Sequence, residues 1–468
     1  MNKILNRFFD DISPIFMIGV LLVSSFVVAQ DNDDDVEEIV VKGNVLYSDQ
    51  VNALKTPVPI MDVPQTVSIV TDEDIRKQGL REIGDIVRYT PGVNTSQGEG
   101  HRDAVVFRGV RSTADFFQDG NRDDVQYYRS LYNVEQVEIL RGPNALLFGR
   151  GGTGGVINRV SKKAALGETF GAVDFGLDSF GANDIAVDYN TGTGDSTAVR
   201  MMIHSDALEN HRDHYDGRRL GFNPTVKIQM NDTTTLDISY EHADHERYID
   251  RGVPTENGEP VERFEKITFG GNENLTTLKA NILRATLSKQ FSDTRKGNLS
   301  VVSSDFEKMY KNYYASGYTA GASVVTMDGY LDPTERENTI ISGSMVNEVG
   351  KHTLLVGAEL IDTTNNNHRY NTFWSTTSDD NEVFTITRPM NFTVNSAGVA
   401  TNNDYTADLK SKTKSDIDVT SIYIQDQIDV SDKLKLMVGG RHDSFDITVT
   451  DIKAGSAQSR KDSKFSPR

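Results

Sequence analysis

Gly149, Gly151 and Gly154 spell G-x-G-x-x-G, the spacing with which a glycine loop cradles a dinucleotide pyrophosphate at a helix N-terminus. That chemistry needs a helix after the glycines, whereas Val156, Ile157 and Val160 come next with the composition of a strand. The glycines are therefore read as sites of positive φ and close backbone approach. His211 and His214, and again His242 and His245, sit at H-x-x-H spacing beside Asp213 and Asp244. A metal site also needs a converging third ligand and groups that orient the first ones, so both pairs are read as loop or polar wall residues. His204-Ser205-Asp206 is a run in sequence, while a nucleophilic triad is defined by geometry. No enzyme, catalytic residue, protein-bound metal or cofactor is expected.

The elements that must position any site begin with an export signal. Lys3 and Arg7 precede an apolar run from Ile15 to Ala29, and Val27-Val28-Ala29 offers a cleavage site, so residues 1–29 read as a signal peptide. The run is short of the roughly 20 residues a spanning helix needs, and no second apolar run occurs, so a membrane location requires a β-barrel. The chain has 468 residues, no Cys, 38 Gly, 17 Tyr and 21 Phe, which suits strands, turns and interfacial aromatics without disulfides. A net charge of -19 argues against a nucleic-acid partner. Thr66 to Thr71 alternates as a strand, and Asp72 to Thr90 has helical spacing at Ile75, Leu80, Ile83 and Ile86, closed by Pro91-Gly92.

The segment VEQVEILRGPNALLFGRGGTGGVINRVSK from Val134 to Lys162 resembles a hallmark of the TonB-dependent outer-membrane receptors, with the siderophore receptors as the nearest likeness. Asp62-Val63-Pro64-Gln65, Pro91-Gly92-Val93, Phe107-Arg108-Gly109, Asp119-Gly120 and Leu140-Arg141-Gly142-Pro143 match the family's plug domain in order. The resemblance implies an α+β plug at about 45–165 and an antiparallel transmembrane β-barrel from 166 to 468. It also implies that Arg108 and Arg141 pair with carboxylates on the barrel wall, a role that suits a bidentate guanidinium. Glu38, Ile39, Val40 and Val41, behind the acidic run from Asp31, resemble a TonB box within a leader at 30–44. An extended β-prone peptide on a flexible tether is suited to adding a strand to a partner.

Family ligands meet the plug's apical loops, which places the candidates between the matched motifs. They are Gln97, Glu99, His101 and Arg102; Arg111, Phe116 and Phe117; and Arg122, Gln126, Tyr127, Tyr128 and Arg129. Arg with Tyr suits an anionic aromatic chelate such as a ferric catecholate, and Phe117 to Gly149 looks most like the catecholate subgroup. Hydroxamates, cobalamin and sugars are the competing family ligands.

Downstream, Val199, Met201 and Ile203 alternate with Ala198, Arg200, Met202 and His204, and Leu434, Leu436 and Val438 with Lys433, Lys435 and Met437. Leu354, Val356, Ala358 and Leu360 alternate less cleanly with Thr353, Leu355, Gly357 and Glu359. Apolar-out, polar-in alternation with long polar loops such as Asn365 to Asp418 is the barrel pattern, although a soluble β-sandwich also alternates. A plugged barrel belongs to the class of about 22 strands, whereas the residues here suffice for roughly 10 to 14. The chain ends at Phe465-Ser466-Pro467-Arg468, mid-barrel by resemblance, so a C-terminal truncation is expected. The implied function is active import of ferric siderophores across a Gram-negative outer membrane. The implied partners are TonB with its inner-membrane complex, the ferric siderophore and outer-membrane lipid, with the receptor a monomer and iron present only as cargo. A passive channel, a non-siderophore transporter and a surface-binding module are the alternatives.

Overall fold

The computed structural model describes residues 51–56, 63, 65–142, 145–152, 154–431 and 433–467, so the signal peptide and the TonB-box residues Glu38 to Val41 lie outside the described residues. The first unit is built on a five-stranded sheet in the order β1 (Thr66–Thr71), β7 (Val134–Arg141), β8 (Gly155–Ser161), β5 (Phe116–Gln118), β6 (Asn121–Arg122). A small meander of β2 (Val93–Thr95), β3 (Val105–Phe107) and β4 (Val110–Ser112) lies beside it in sequence. Its core gathers Ile75, Ile83, Ile86, Phe107, Phe116, Val137, Ile139 and Ile157.

The helical stretch after β1 is two helices rather than one: α1 (Asp72–Gln78) and α2 (Ile83–Val87). Gly79 breaks it, adopting φ 62° while Leu80 N–H donates back to Ile75 O at 2.9 Å, a glycine stop that the apolar spacing conceals. Thr71 caps α1 reciprocally with Asp74. The third helix, α3 (Ala145–Phe148), precedes the glycine loop, and the loop leads into the strand β8. This is the wrong order for a dinucleotide fold.

The second unit is a 13-stranded antiparallel sheet. Its strands are β9 (Thr169–Leu177), β10 (Asn183–Gly192), β11 (Thr197–Glu209), β12 (Asp216–Asn231), β13 (Thr234–Tyr248), and, after the two-residue pair β14 (Thr255–Glu256) and β15 (Glu259–Pro260), β16 (Leu275–Ser292) and β17 (Arg295–Thr319). It continues through β18 (Val324–Val349), β19 (His352–Asn371), the short β20 (Glu382–Thr385) on β18, β21 (Asp408–Ser431), β22 (Leu434–Asp451) and β23 (Ser456–Pro467). The edge strands β9 and β23 do not pair with each other among the described residues.

Alternation sorts the wall as its sequence predicts. Along β11, Ala198, Arg200, Met202 and His204 are buried against the interior, while Ile203 is exposed. Val356, Leu360, Ile422 and Ile424 belong to the exposed apolar outer face that lipid would cover, whereas at the start of β22 the interleaved Lys433 and Lys435 are exposed along with Leu434 and Leu436, so burial does not sort the alternation there. Leu355 breaks the alternation for a reason: it faces inward and packs with Leu146, Leu147 and Phe148 of the plug.

One end of the wall has tight turns at 193–196, 232–233, 293–294 and 350–351, and the other carries the long connections 249–274 and 372–407. Short periplasmic turns and long outer loops are the rule for such barrels. β17 and β18 run 25 and 26 residues, well beyond the ~10 needed to cross a bilayer, and so project outward. Above the sheet, Trp374 is buried among Tyr313, Phe384 and Phe392, joined by Phe264, Phe269 and Tyr405.

Candidate functional site

The interior wall grips the plug through many charged contacts. Glu82, at the head of α2, pairs with Arg247 of β13 and lies 3.8 Å from Arg219 of β12. Arg81 pairs with Asp184, Lys162 lies 3.3 Å from Asp188, and Arg336 pairs with Asp124. Arg441 of β22 donates to Leu147 O of α3 at 3.2 Å while pairing with Glu359 at 3.0 Å and Asp443 at 2.7 Å. Gly149 must be glycine here: φ is +68° and an added Cβ would lie 2.9 Å from the Arg441 guanidinium.

Arg108 and Arg141 do not take part in this grip. Arg141 donates to Pro91 O and to Ser68 Oγ, each at 2.8 Å, Arg108 is exposed, and neither pairs with a barrel carboxylate among the described residues. The hydrogen bonds of Arg141 are thus made within the plug. The junction runs in both polarities: Arg81 and Lys162 of the plug meet wall carboxylates, while Glu82 and Asp124 of the plug meet arginines of the wall.

The apical candidates separate into two groups. Phe116, Phe117, Tyr127 and Arg129 are buried framework. Arg129 lies 4.0 Å over the Phe116 ring, bonds Asp123 at 2.8 Å and donates its backbone N–H to Asp103 at 3.0 Å. Burial raises the Asp123 carboxyl, but Arg129 and Arg159 outweigh it and hold it at about 2. For Asp103 burial wins over Arg129 and pushes it up to about 6. Arg122 ties the chain together by donating to Ala114 O at 3.2 Å and Phe148 O at 2.6 Å. Tyr128 lies under Arg247 at 4.0 Å.

Gln97, His101, Arg102, Arg111 and Gln126 form the second group, with Gln97, Arg111 and Gln126 exposed. Gly98, Glu99 and Gly100 all adopt positive φ, turning the loop so that Gly100 abuts Asp250 O of the outer connection 249–274. Glu99 accepts from Arg102 Nη1 at 2.8 Å and from Tyr330 OH at 3.3 Å, and its backbone carbonyl accepts from Tyr310 OH at 3.0 Å. The His101 ring packs at a tilt of 41° with its centroid 4.0 Å from that of Tyr310, and Lys308 donates to its Nδ1 and to Gln126 O. Burial, with the Lys308 cation, depresses the His101 imidazole to about 3, so it is neutral and free to accept. Arg251 lies 3.8 Å over Tyr314 and Arg369 4.1 Å over Tyr330. Lys308 stands about 13 residues up β17 from its tight turn, roughly 30 Å along a tilted barrel, which puts this cluster at the outer mouth.

Sequence reasoning located Gln97, His101 and Arg102 but missed Lys308, Tyr310, Tyr330, Arg251 and Arg369, which arrive from the wall more than 140 residues away. The signal for them was weak: Lys308, Tyr310, Tyr330 and Arg369 hold strand positions indistinguishable from other wall polar residues, and Arg251 lies in the long outer connection 249–274. The histidine pairs do not converge. His242 faces outward to Asn281 Oδ1 at 2.8 Å, while His245 is buried, because residues three apart on a strand face opposite sides. Among the described residues no group of three His, Asp or Glu side chains could hold a metal.

A plug with a charged grip on a β-wall is the architecture of a plugged outer-membrane barrel. The family described as TonB-dependent Receptor Plug Domain matches residues 59–156, and the TonB dependent receptor-like β-barrel matches residues 174–468. The chain belongs to the TonB-dependent receptors, outer-membrane proteins of Gram-negative bacteria. It is 30% identical over 205 residues to the probable TonB-dependent receptor BfrD of Bordetella pertussis, covering 43% of this chain and 28% of that protein. It is 28% identical over 257 residues to the catecholate siderophore receptor Fiu of Escherichia coli K12, covering 51% and 32%, and 24% identical over 425 residues to the ferrioxamine B receptor of Salmonella typhimurium, covering 86% and 58%. The crystal structure of the siderophore receptor PiuA from Acinetobacter baumannii superposes with a TM-score of 0.76 at 20% identity, over 90% of this chain and 63% of that one. The matched stretch thus spans under a third of the BfrD and Fiu chains.

Proposed function

We propose that the protein receives a ferric siderophore of catecholate type at the apex of its plug and passes it inward by TonB-dependent transport. The observation that carries this reading is the outer-mouth cluster in which Arg102, Arg251, Lys308 and Arg369 are interleaved with Tyr310, Tyr314 and Tyr330. Guanidinium and ammonium groups set among tyrosine rings attract an anionic aromatic chelate through both charge and π-faces. Fiu and PiuA, named as siderophore receptors, support the same substrate class.

The chemistry is binding and movement, with iron as cargo. The chelate seats at the apex, residues Glu38 to Val41 engage TonB in the periplasm by strand addition, and the proton-motive force displaces the plug of a monomeric receptor. Its test is uptake of labelled iron as tris-catecholate and as trihydroxamate complexes by iron-starved cells, with and without Ile39→Pro. Catecholate uptake that proline abolishes is the expected result. Uptake that survives proline would mean a passive pore, and no uptake of either chelate would mean another ligand.

A further inference from the structure

Glu99 occupies the cluster in the way a ligand anion would. Its carboxylate takes hydrogen bonds from Arg102 Nη1 at 2.8 Å and Tyr330 OH at 3.3 Å, and lies 3.6 Å from His101 Nε2. It is presented there by backbone in the left-handed region, φ 56°, between two glycines that share that region. A residue with a Cβ adopts that conformation only where its surroundings hold it. The Glu99 side chain retains 37% exposure, against 6% for His101 and 17% for Arg102, so it can swing outward while its partners stay.

The cations around it outnumber their counter-charges. Arg369 is matched by Asp332. Arg251 forms no ion pair among the described residues, and its Nη1 is buried without a hydrogen-bond partner. Lys308 donates only to neutral acceptors, His101 Nδ1 and Gln126 O. Arg102 and Arg251 thus share one carboxylate, beside Lys308, whose amine burial and Arg102 pull down to about 7, so that an incoming anion would draw a further proton onto it, in a chain whose overall charge is -19. Local cation excess beside one displaceable carboxylate is an arrangement that a multiply charged anion completes.

We propose that Glu99 is a built-in occupant of the apical cluster, displaced by polyanionic aromatic chelates and left in place by neutral ones, and that the cations around it give the site its preference for the polyanions. The charge preference stands on this geometry, and only the identity of the ferric chelate rests on the function proposed above. A mono-anion gains little by exchanging with Glu99, whereas a trianion also satisfies Arg251 and Lys308. Charge complementarity of this kind sets specificity more than raw affinity.

The test uses the full chain extracted from outer membrane, with heat-modifiable gel migration as the folding control for each variant. Three probes are titrated: the trianionic iron(III) tris-catecholate, an uncharged iron(III) trihydroxamate, and an iron-free pyrene trisulfonate fluorophore. Glu99→Gln is expected to bind both trianions roughly tenfold more tightly and to leave the hydroxamate unchanged, while Arg251→Gln weakens both trianions. Glu99→Ala should repeat the gain and guards against an effect peculiar to the amide. Trianion binding that is unchanged or weakened in both Glu99 variants would overturn the proposal. A gain for the fluorophore with no binding of either iron complex would leave the Glu99 proposal standing and remove the siderophore function.

Discussion

The guanidinium of Arg247 pairs with the carboxylate of Glu82, joining the outer end of β13 to the first residue ahead of the plug's second helix. The same guanidinium covers the Tyr128 ring at 4.0 Å, so one wall residue touches both α2 and the apical segment. Arg247→Ala should therefore loosen the two together. Losing the pair would cost about 2 kcal/mol of plug docking, less than for a fully isolated pair because Arg219 remains 3.8 Å away. Hydrogen exchange by mass spectrometry should show faster exchange in 82–90 and 123–130, with the wall strands unaffected. Exchange that rises in only one segment would break the proposed link.

The pH response of the apical framework is set by Asp103. Its folded pKa of about 6 stands above the ordinary value of 3.8, because burial disfavours the charge. The stabilising contribution of its protonated form is complete below about 3.8 and is lost as pH rises through about 6. Asp123, held at about 2, acts in the opposite sense, its contribution disappearing only as pH falls below about 3.8. Between pH 4 and 7, then, segment 123–130 should become more protected on acidification, and Asp103→Asn should flatten that trend. Exchange rates, corrected for intrinsic pH dependence, provide the measurement.

Glu138 is a fully buried carboxylate that accepts from Asn52 N at 2.7 Å, Ala53 N at 2.9 Å, Gln136 Nε2 at 2.8 Å and Asn158 Nδ2 at 2.9 Å. It holds the start of the described chain onto the plug sheet. Glu138→Ala strands two backbone donors, a loss of about 3 kcal/mol for that segment, and should make 51–56 sensitive to limited proteolysis. Glu138→Gln keeps one acceptor oxygen and should fall between. Unchanged cleavage in the alanine variant would show that packing of Val51, Ala53 and Leu54 suffices.

Gly149→Ala meets two obstacles at once, a positive φ and the Arg441 guanidinium. Arg441 cannot withdraw without leaving Glu359 and Asp443. The substitution should cost about 2 kcal/mol. In an Arg441→Ala background the steric part disappears and the φ strain remains, so thermal melts of the four proteins separate the two terms.

Much of the wall was legible because strand alternation is a one-dimensional signal. Ile203 outward and His204 inward can be read from period two alone, and Leu355 looked irregular only because its inward face meets Leu147 of the plug. The helix after β1 was legible in type but not in number, since apolar spacing runs through Gly79 while its φ does not. The site divided similarly. His101 and Arg102 were found between matched motifs, but Tyr330 reaches Glu99 across 231 residues, and no local pattern encodes that meeting. Arg108 and Arg141 were assigned a wall partner by resemblance, whereas Arg141 is engaged by Pro91 O and Ser68 Oγ.

Trp374 is the sole tryptophan in 468 residues, and it lies in the aromatic cluster of the outer loops. Selectively excited indole emission from this chain therefore has a single origin. The rings of Tyr313 and Phe384 lie 5.5 and 4.9 Å away, a dry setting that shifts emission to the blue. A lid that opens would redden the spectrum, and one that stays shut would leave it fixed, so the native protein carries its own optical readout of events at the cell surface.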